Sequence, residues 1–448
     1  MNGNVKTCPL AIKQEVKWLT RRGLKQMLSL KLSVLCWGVM LLLLPKTVMA
    51  SPPPEHGVKI TTNVRMRYEY VDNQLPTTNA VDDAVVTRIS TYAAYQSSPL
   101  LFEAELMDSR IFKEEQFTPV GTDDTNALEP VQFALSWRSV ISKEKNSGNI
   151  AVKVGRFTMD IGSRRLVARN RFRNTLNTFD GIRFDAALSH LSITAFYTHP
   201  VSREPTLNNR QSINDTQLDS SSSNVRFFGV DAHFNTAYGN LHFYGFQDKN
   251  TINKTQRNTL GHLANITLSE RINIDFEAAL QRGQYQSKKV RASFLHIALS
   301  SNFNLATLRL FYDVATGDDA STDTFEGFST LFGARRFEYG PTGIFGVFAR
   351  NNMTSLGLSS NFKINEHNQV LMQLRGFDIH QSGASGRLRG ELLDKGDFLG
   401  TLSELRVRSQ ITESIYLETG LAIANLSSSV VINEHSMRYA YFQTTYVF

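Results

Sequence analysis

Along residues 58–71 apolar and polar side chains alternate with period two. Val58, Ile60, Val64, Met66, Tyr68 and Tyr70 fall on one face, and Lys59, Asn63, Arg65, Arg67 and Glu69 on the other. Successive side chains of an extended chain point to opposite faces, so this reads as a strand with one apolar and one polar surface. The pattern returns at 271–282, where Ile272, Ile274, Phe276, Ala278 and Leu280 oppose Asn273, Asp275, Glu277 and Gln281. Near the end, Leu405 and Val407 oppose Glu404, Arg406 and Arg408. Marked along the chain, the same signal predicts strands near 58–71, 84–96, 100–109, 130–141, 149–158, 179–187, 190–198, 224–235 and 239–247. It continues near 258–268, 271–282, 290–301, 304–315, 354–364, 368–378, 402–411, 414–424 and 435–448. That is eighteen segments, with sixteen the nearest other count.

The connections between these segments alternate in length. "SSP" at 97–99, "KEKNSG" at 143–148, "LS" at 188–189, "TAYG" at 236–239 and "NEH" at 365–367 are short. Residues 109–129, 159–178, 199–223, 316–353 and 379–401 are long. Strands of about 9–11 alternating residues, even in number, with short turns on one side and long loops on the other, describe a transmembrane β-barrel. With the first strand starting in the periplasm, the short turns are periplasmic and the long loops extracellular. No linker interrupts the rhythm. Residues 51–448 therefore read as one all-β domain, an antiparallel barrel of about eighteen strands.

The two ends agree with a barrel and not with a water-soluble sandwich or propeller, which would share the alternation. Residues 32–44, "LSVLCWGVMLLLL", form an apolar run closed by Pro45, with Val48 and Ala50 placed as a signal-peptide cleavage site needs them. Thirteen residues are short for a spanning helix, which takes about 20. Residues 1–50 are thus expected to be a removable export signal, with Met27 as a possible true start. Both cysteines, Cys8 and Cys36, fall inside it, and "SVLC" lacks the features of a lipoprotein signal. At the other end, Phe448, Tyr446 and Phe442 lie on one face of a last strand that ends in an aromatic residue. Such a strand resembles the signal read by the machinery that assembles barrels in the Gram-negative outer membrane.

Removing the presequence also changes the charge. The whole chain has 48 basic and 41 acidic residues, of which residues 1–50 hold eight and one, leaving 40 of each sign. A neutral mature chain removes the electrostatic case for a nucleic-acid partner. Barrels of this width leave an aqueous channel unless loops fold inward, which favours transport over catalysis. An outer-membrane barrel enzyme would need a histidine beside Asp or Ser. His190, His199, His233, His242, His262, His296, His367, His380 and His435 are scattered, and none sits in a catalytic or metal-ligand motif. No cofactor motif appears, and "SGASGRLRG" at 382–390 reads as a turn.

One local charge cluster remains. "GRFTMDIGSRRLVARNRFRNT" at 155–175 carries Arg156, Arg164, Arg165, Arg169, Arg171 and Arg173. It begins at a strand end and continues as a long outward loop. Extended, it would place Arg169, Arg171 and Arg173 on one face and Asn170, Phe172 and Asn174 on the other. Guanidinium grips carboxylate or phosphate in two places and stays charged at any pH. The cluster therefore fits a ladder for a linear polyanion, or a filter for small anions. It also fits pairing with lipopolysaccharide phosphates, or an ion-pair network with lumen acids such as Glu103, Glu105, Asp275 and Glu277. Arg65, Arg67, Arg183, Arg406 and Arg408 add strand-borne candidates for the pore wall.

Two stretches carry a family resemblance: "VGRFTMDIGSRRLVARNRFRNTLNTFDGIRF" at 154–184 and "GDDASTDTFEGFSTLFGARRFEYGPTGIFGVFARNN" at 317–352. With "RMRYEYVDN" and the closing strands, the chain resembles the alginate-export family of outer-membrane barrels. The resemblance implies an eighteen-stranded monomeric barrel whose arginine-rich pore lets an acidic polysaccharide leave the periplasm. By position it points to the six loop arginines and to Arg335 and Arg336 in the later loop. Phe157 and Thr158 stand where the family often has a glutamine-containing version.

Overall fold

The computed structural model describes residues 56–73, 81–112, 124–140, 148–204, 214–319, 321–340, 348–382, 396–427 and 435–448. The export segment expected at 1–50, with Met27, lies outside them, as do all but Gly148 of the 143–148 turn and most of 382–390. The alternating segments become β1 (His56–Asp72), β2 (Val81–Ser97), β3 (Leu100–Phe112), β4 (Asn126–Val140), β5 (Asn149–Phe157) and β6 (Phe179–Ala187). They continue as β7 (Leu191–Ser202), β8 (Val225–Thr236), β9 (Gly239–Asn250), β10 (Thr255–Thr267), β11 (Ile272–Tyr285) and β12 (Lys288–Asn302). The last six are β13 (Ala306–Ala315), β14 (Met353–Lys363), β15 (Asn368–Asp378), β16 (Phe398–Gln410), β17 (Ile415–Leu426) and β18 (His435–Val447).

Each strand pairs antiparallel with the next, and β1 pairs with β18 from Asn63↔Val447 to Asp72↔Arg438. Thr62 N–H donates to the Phe448 carbonyl at 2.7 Å, and Phe448 N–H donates back to Thr62 at 3.0 Å. The ring is closed. Closure matters because a bilayer offers no water to an open edge, so each strand's backbone groups must pair with a neighbour. Tyr446 and Phe442 sit opposite Val64 and Tyr68, on the apolar phase.

Apolar residues of that phase, such as Val58, Ile60, Leu260, Leu280, Leu356 and Leu374, are exposed toward lipid. The other phase, including Arg65, Arg67, Glu277, Gln281 and Arg375, is buried in the lumen. The strand boundaries move by a few residues from those predicted, because loops continue the ladder past the apolar band. A four-residue helix, α1 (Arg336–Tyr339), and two-residue ladders at Ser220–Ser221 and Thr324–Phe325 have no counterpart in the periodicity.

Alternation breaks at one functionally relevant place. Lys153 reaches Glu103 in the lumen at 2.5 Å, and Val154 is exposed to lipid, so strict alternation would turn Arg156 outward. Gly155 has φ +125°, resets the phase, and delivers Arg156 to Glu129 at 2.6 Å. A Cβ at Gly155 would meet the Phe133 carbonyl oxygen at 2.3 Å, and one at its partner Gly181 would meet that of Tyr197 at 2.2 Å. Gly155→Ala is therefore expected to destabilise the barrel by about 1–3 kcal/mol from backbone strain alone. The check is the temperature at which gel migration shifts from the folded to the unfolded position; an unchanged midpoint would refute the phase-reset reading.

Aromatic residues fill much of the lumen, and two outward connections supply them. Phe332 lies 4.8 Å from Phe227 of β8 and 5.3 Å from Phe179 of β6, ring centre to ring centre. Phe328 lies 5.4 Å from Phe294 of β12, and Phe348 stacks 4.0 Å from Phe377 of β15. The described parts of the connections 158–178 and 316–352 thus fold inward. They also bond to each other: Phe332 N–H donates to Leu166 O at 2.9 Å and Ala168 N–H to Phe332 O at 3.1 Å. The backbones come so close that a Cβ on Gly333 would lie 1.7 Å from Arg165 O. Only glycine fits there.

Candidate functional site

The inward loops are held by buried ion pairs. Arg165 donates to Glu277 of β11 at 2.7 Å and bridges to Glu338 of α1 at 2.5 Å. Arg350 is fully buried and donates to the second oxygen of Glu338 at 2.5 Å and to Arg165 O at 3.0 Å. Burial alone would push the Glu338 carboxyl up. The guanidiniums of Arg165 and Arg350 outweigh it and hold the carboxyl well below the usual carboxylate range. Burial likewise opposes the charge on Arg165, while Glu338 and Glu277 raise its pKa above the ordinary value. Two carboxylates and two arginines pin two loops to the wall.

Behind them, His296 Nδ1 lies 2.7 Å from Asp313, and both lie near Glu338. The three could gather around a metal ion, but cations already occupy them. Arg375 pairs with Asp313, Arg309 Nη2 lies 3.0 Å from His296 Nε2, and Glu338 serves Arg165 and Arg350. This donor set is an ion-pair network.

On the opposite flank the loop meets β1, β2 and β3. Arg169 pairs with Glu105 at 2.6 Å, and Arg171 with Asp160 at 2.5 Å. Arg65 donates to the carbonyls of Arg171 at 3.0 Å, Phe172 at 3.2 Å and Arg173 at 2.9 Å, and to Asn174 Oδ1 at 2.8 Å. Arg88 donates to Arg171 O at 3.2 Å and Arg173 O at 3.1 Å. Arg67 pairs with Glu69 at 2.8 Å and donates to Phe172 O at 2.5 Å. The Phe172 ring lies between two cations, with Arg67 and Arg336 each 4.3 Å from its centre. Arg336 also reaches Glu404 at 2.6 Å and Tyr441 Oη at 3.1 Å.

The extended row expected for Arg169, Arg171 and Arg173 is corrected. Asn170 has φ +61° and residues 171–175 turn, so the three do not share one face. Arg169 is held against Glu105, whereas the Arg171 side chain is 59% exposed. Arg164 is exposed at a left-handed turn, and Arg173 and Arg335 are half-buried. Arg156 is bound by Glu129 and Asp180, Arg183 by Asp185 at 2.7 Å, and Arg406 by Glu404 at 3.2 Å. Arg408 pairs with Glu418 near the periplasmic rim. Of the four lumen acids considered for the cluster, Glu105 and Glu277 do neutralise it; Glu103 instead binds Lys153 and Asp275 binds Arg309 at 2.8 Å.

Sequence reading passed over Arg88, Arg309, Arg350 and Arg375. Arg88 was legible, since it shares the polar phase of Ser90 in a predicted strand. Arg350 sits in a loop with no periodicity to place it.

A closed ring of membrane-length strands, apolar outside, charged inside and narrowed by inward loops, defines an outer-membrane β-barrel channel. The chain belongs to the alginate-export family, whose model, described as "Alginate export", matches residues 57–423. No curated protein sequence matches the chain. The fold is similar to solved barrels at low identity. OpdK from Pseudomonas aeruginosa is 11% identical with a TM-score of 0.59, over 87% of this chain and 98% of that one. OccAB3 from Acinetobacter baumannii is 14% identical with a TM-score of 0.56, over 87% and 99%. OccK5 (OpdH) from P. aeruginosa is 10% identical with a TM-score of 0.58, over 87% and 98%.

Proposed function

We propose that this channel passes an anionic solute, an acidic polysaccharide of the polyuronate class, along an arginine-rich strip of its lumen, with no catalytic step. The observation that carries the reading is a local charge surplus. Arg65, Arg67, Arg88, Arg169 and Arg171 converge on one side of the lumen, where the ion-pair partners found among the described residues are Glu69, Glu105 and Asp160. Arg65 and Arg88 bond neutral carbonyls instead, so their charges remain uncancelled locally. A surplus cation in a narrow low-dielectric passage attracts anions far more strongly than it would in bulk water. The exposed Arg171 is the residue a passing carboxylate would meet.

A filter for small anions is the second reading, favoured by the extent to which the two inward loops fill the lumen. Purified protein in planar bilayers separates them. The polyuronate reading expects anion preference and concentration-dependent block by oligomannuronate, both weakened by Arg171→Glu. Anion preference without block would leave only the small-anion filter, and cation preference would sink both.

A further inference from the structure

Arg226, Lys249, Arg282, Lys289 and Arg291 stand on the outward phase of β8, β9, β11 and β12, where Lys249 is half-buried and the other four are exposed. Their strand neighbours Phe227, Gln281, Val290 and Ala292 are buried on the lumen phase, so these side chains point the other way. Pairing sets Arg226 directly across from Lys249 and Arg282 directly across from Arg291. One step inward from Arg282, Leu280 lies opposite Leu260, and both are exposed to lipid. Connections that follow odd-numbered strands lie on the outer side, and here they are short. β9 ends at Asn250 with β10 starting at Thr255, and β11 ends at Tyr285 with β12 starting at Lys288. The cations therefore border the apolar band at the headgroup level of the outer leaflet.

Like charges directly opposite each other destabilise a sheet, and this arc holds two such pairs side by side. The outward residues between them on β10, Gln256 and Asn258, are neutral. Among the described residues none of the five cations has an ion-pair partner: Arg226 donates to Ser223 O at 3.1 Å and Arg282 to Gln281 O at 2.8 Å. Asp319 and Glu326 of the adjoining connection accept instead from the hydroxyls of Ser321 at 2.6 Å and Thr322 at 3.1 Å. Outward cations elsewhere on the rim are paired, Arg110 with Asp108 at 2.9 Å and Arg438 with Asp72 at 3.5 Å. The surplus is confined to one arc, and an anion outside the protein must offset it. Guanidinium forks match phosphate in two places, and the exposed leucines beneath them suit an anion that carries acyl chains.

We propose that this outward arc of β8–β12 binds the phosphorylated glycolipid of the outer leaflet. One phosphate sits between Arg282 and Arg291, with Lys289 beside them, and Arg226 and Lys249 meet a second phosphate or an acidic sugar of the same headgroup. The acyl chains run down the wall over Leu260 and Leu280. The site lies on the lipid side of the wall, apart from the arginine strip on β1 and β2, and its existence does not depend on what the channel carries.

Native mass spectrometry of the purified barrel titrated with bisphosphorylated lipid A provides the test. The wild type is expected to retain the lipid at least tenfold more tightly than lipid A stripped of its phosphates, because each cation at the surface contributes to holding an anionic headgroup. The triple variant Arg282→Gln, Lys289→Gln, Arg291→Gln should lose at least tenfold in the same titration. Arg110→Gln, which removes an outward cation already paired with Asp108, should leave retention unchanged. Inorganic phosphate at the same phosphate concentration should not displace the lipid, and phosphatidylglycerol should bind at least tenfold more weakly. Equal retention of phosphorylated and stripped lipid A by the wild type would overturn the proposal, whether or not the variants fold. So would displacement by inorganic phosphate, equal retention of phosphatidylglycerol, or a triple variant that folds and binds as the wild type does.

Discussion

Glu338→Ala is expected to raise single-channel conductance and to make loop 316–352 sensitive to protease added from outside. Glu338 is the carboxylate shared by Arg165 and Arg350, and Arg350 is fully buried with no other acidic partner among the described residues. Removing one partner of a buried pair leaves an uncompensated charge, at a cost of about 3–5 kcal/mol. Arg165 keeps Glu277, so the penalty falls on Arg350 and on the loop that carries it. Because loops 158–178 and 316–352 bond through Leu166, Ala168 and Phe332, the first should loosen with the second. Unchanged conductance and protease resistance would mean that the aromatic contacts of Phe328, Phe332 and Phe348 hold the loops without the ion pairs.

Acid should not mimic that substitution. A carboxylate whose folded pKa is depressed contributes stability that is complete above its unfolded pKa, about 4.3 for glutamate, and lost only as pH falls through the lower folded value. Glu338 is depressed well below the usual range, so the clamp persists on acidification from neutrality to about pH 5. Conductance that rose in this interval would place the sensitive group elsewhere.

Arg65→Ala is expected to abolish most of the anion preference. The Arg65 fork holds three successive carbonyls, those of Arg171, Phe172 and Arg173, together with Asn174 Oδ1. Hydrogen bonds from a charged donor contribute about 1.5–3 kcal/mol each, although four on one side chain do not add fully. Alanine would remove a lumen cation and also release the turn that positions Arg171. Arg65→Lys separates these effects: an ammonium keeps the charge but lacks the planar fork that spans these acceptors. Lysine should therefore restore part of the reversal potential but not the block by oligomannuronate. If alanine left the reversal potential unaltered, the charge surplus on β1 and β2 would not govern selectivity.

Nearly all of the strand framework was legible because period-two alternation is a local property. In β11, Glu277 and Gln281 must face the lumen once Phe276 and Leu280 face lipid. Arginine-loop geometry was less legible. No local rule fixes a left-handed residue at Asn170, and the partners of Arg165 and Arg169 lie 112 and 64 positions away in sequence. Glu103 and Glu105 share one strand face, yet only Glu105 receives a loop arginine, because the inward path of the loop decides which acid it passes. The phase reset at Gly155 was hidden for a related reason: glycine permits the turn of phase, but the neighbouring strand at Phe133 determines that it is needed.

The sequence by itself determined the barrel, its lipid and lumen faces, its short and long connections and the placing of arginines on an inward phase. Each follows from the spacing of neighbouring side chains and from the bilayer's demand that backbone groups pair. Only the tertiary structure decided that the described parts of loops 158–178 and 316–352 fold into the lumen, that Glu338 ties them together, and that Arg65 and Arg88 bond carbonyls while Arg169 bonds Glu105. Those outcomes rest on ion pairs and aromatic contacts between distant segments, and such contacts exist only once the closed barrel has brought its walls around the loops.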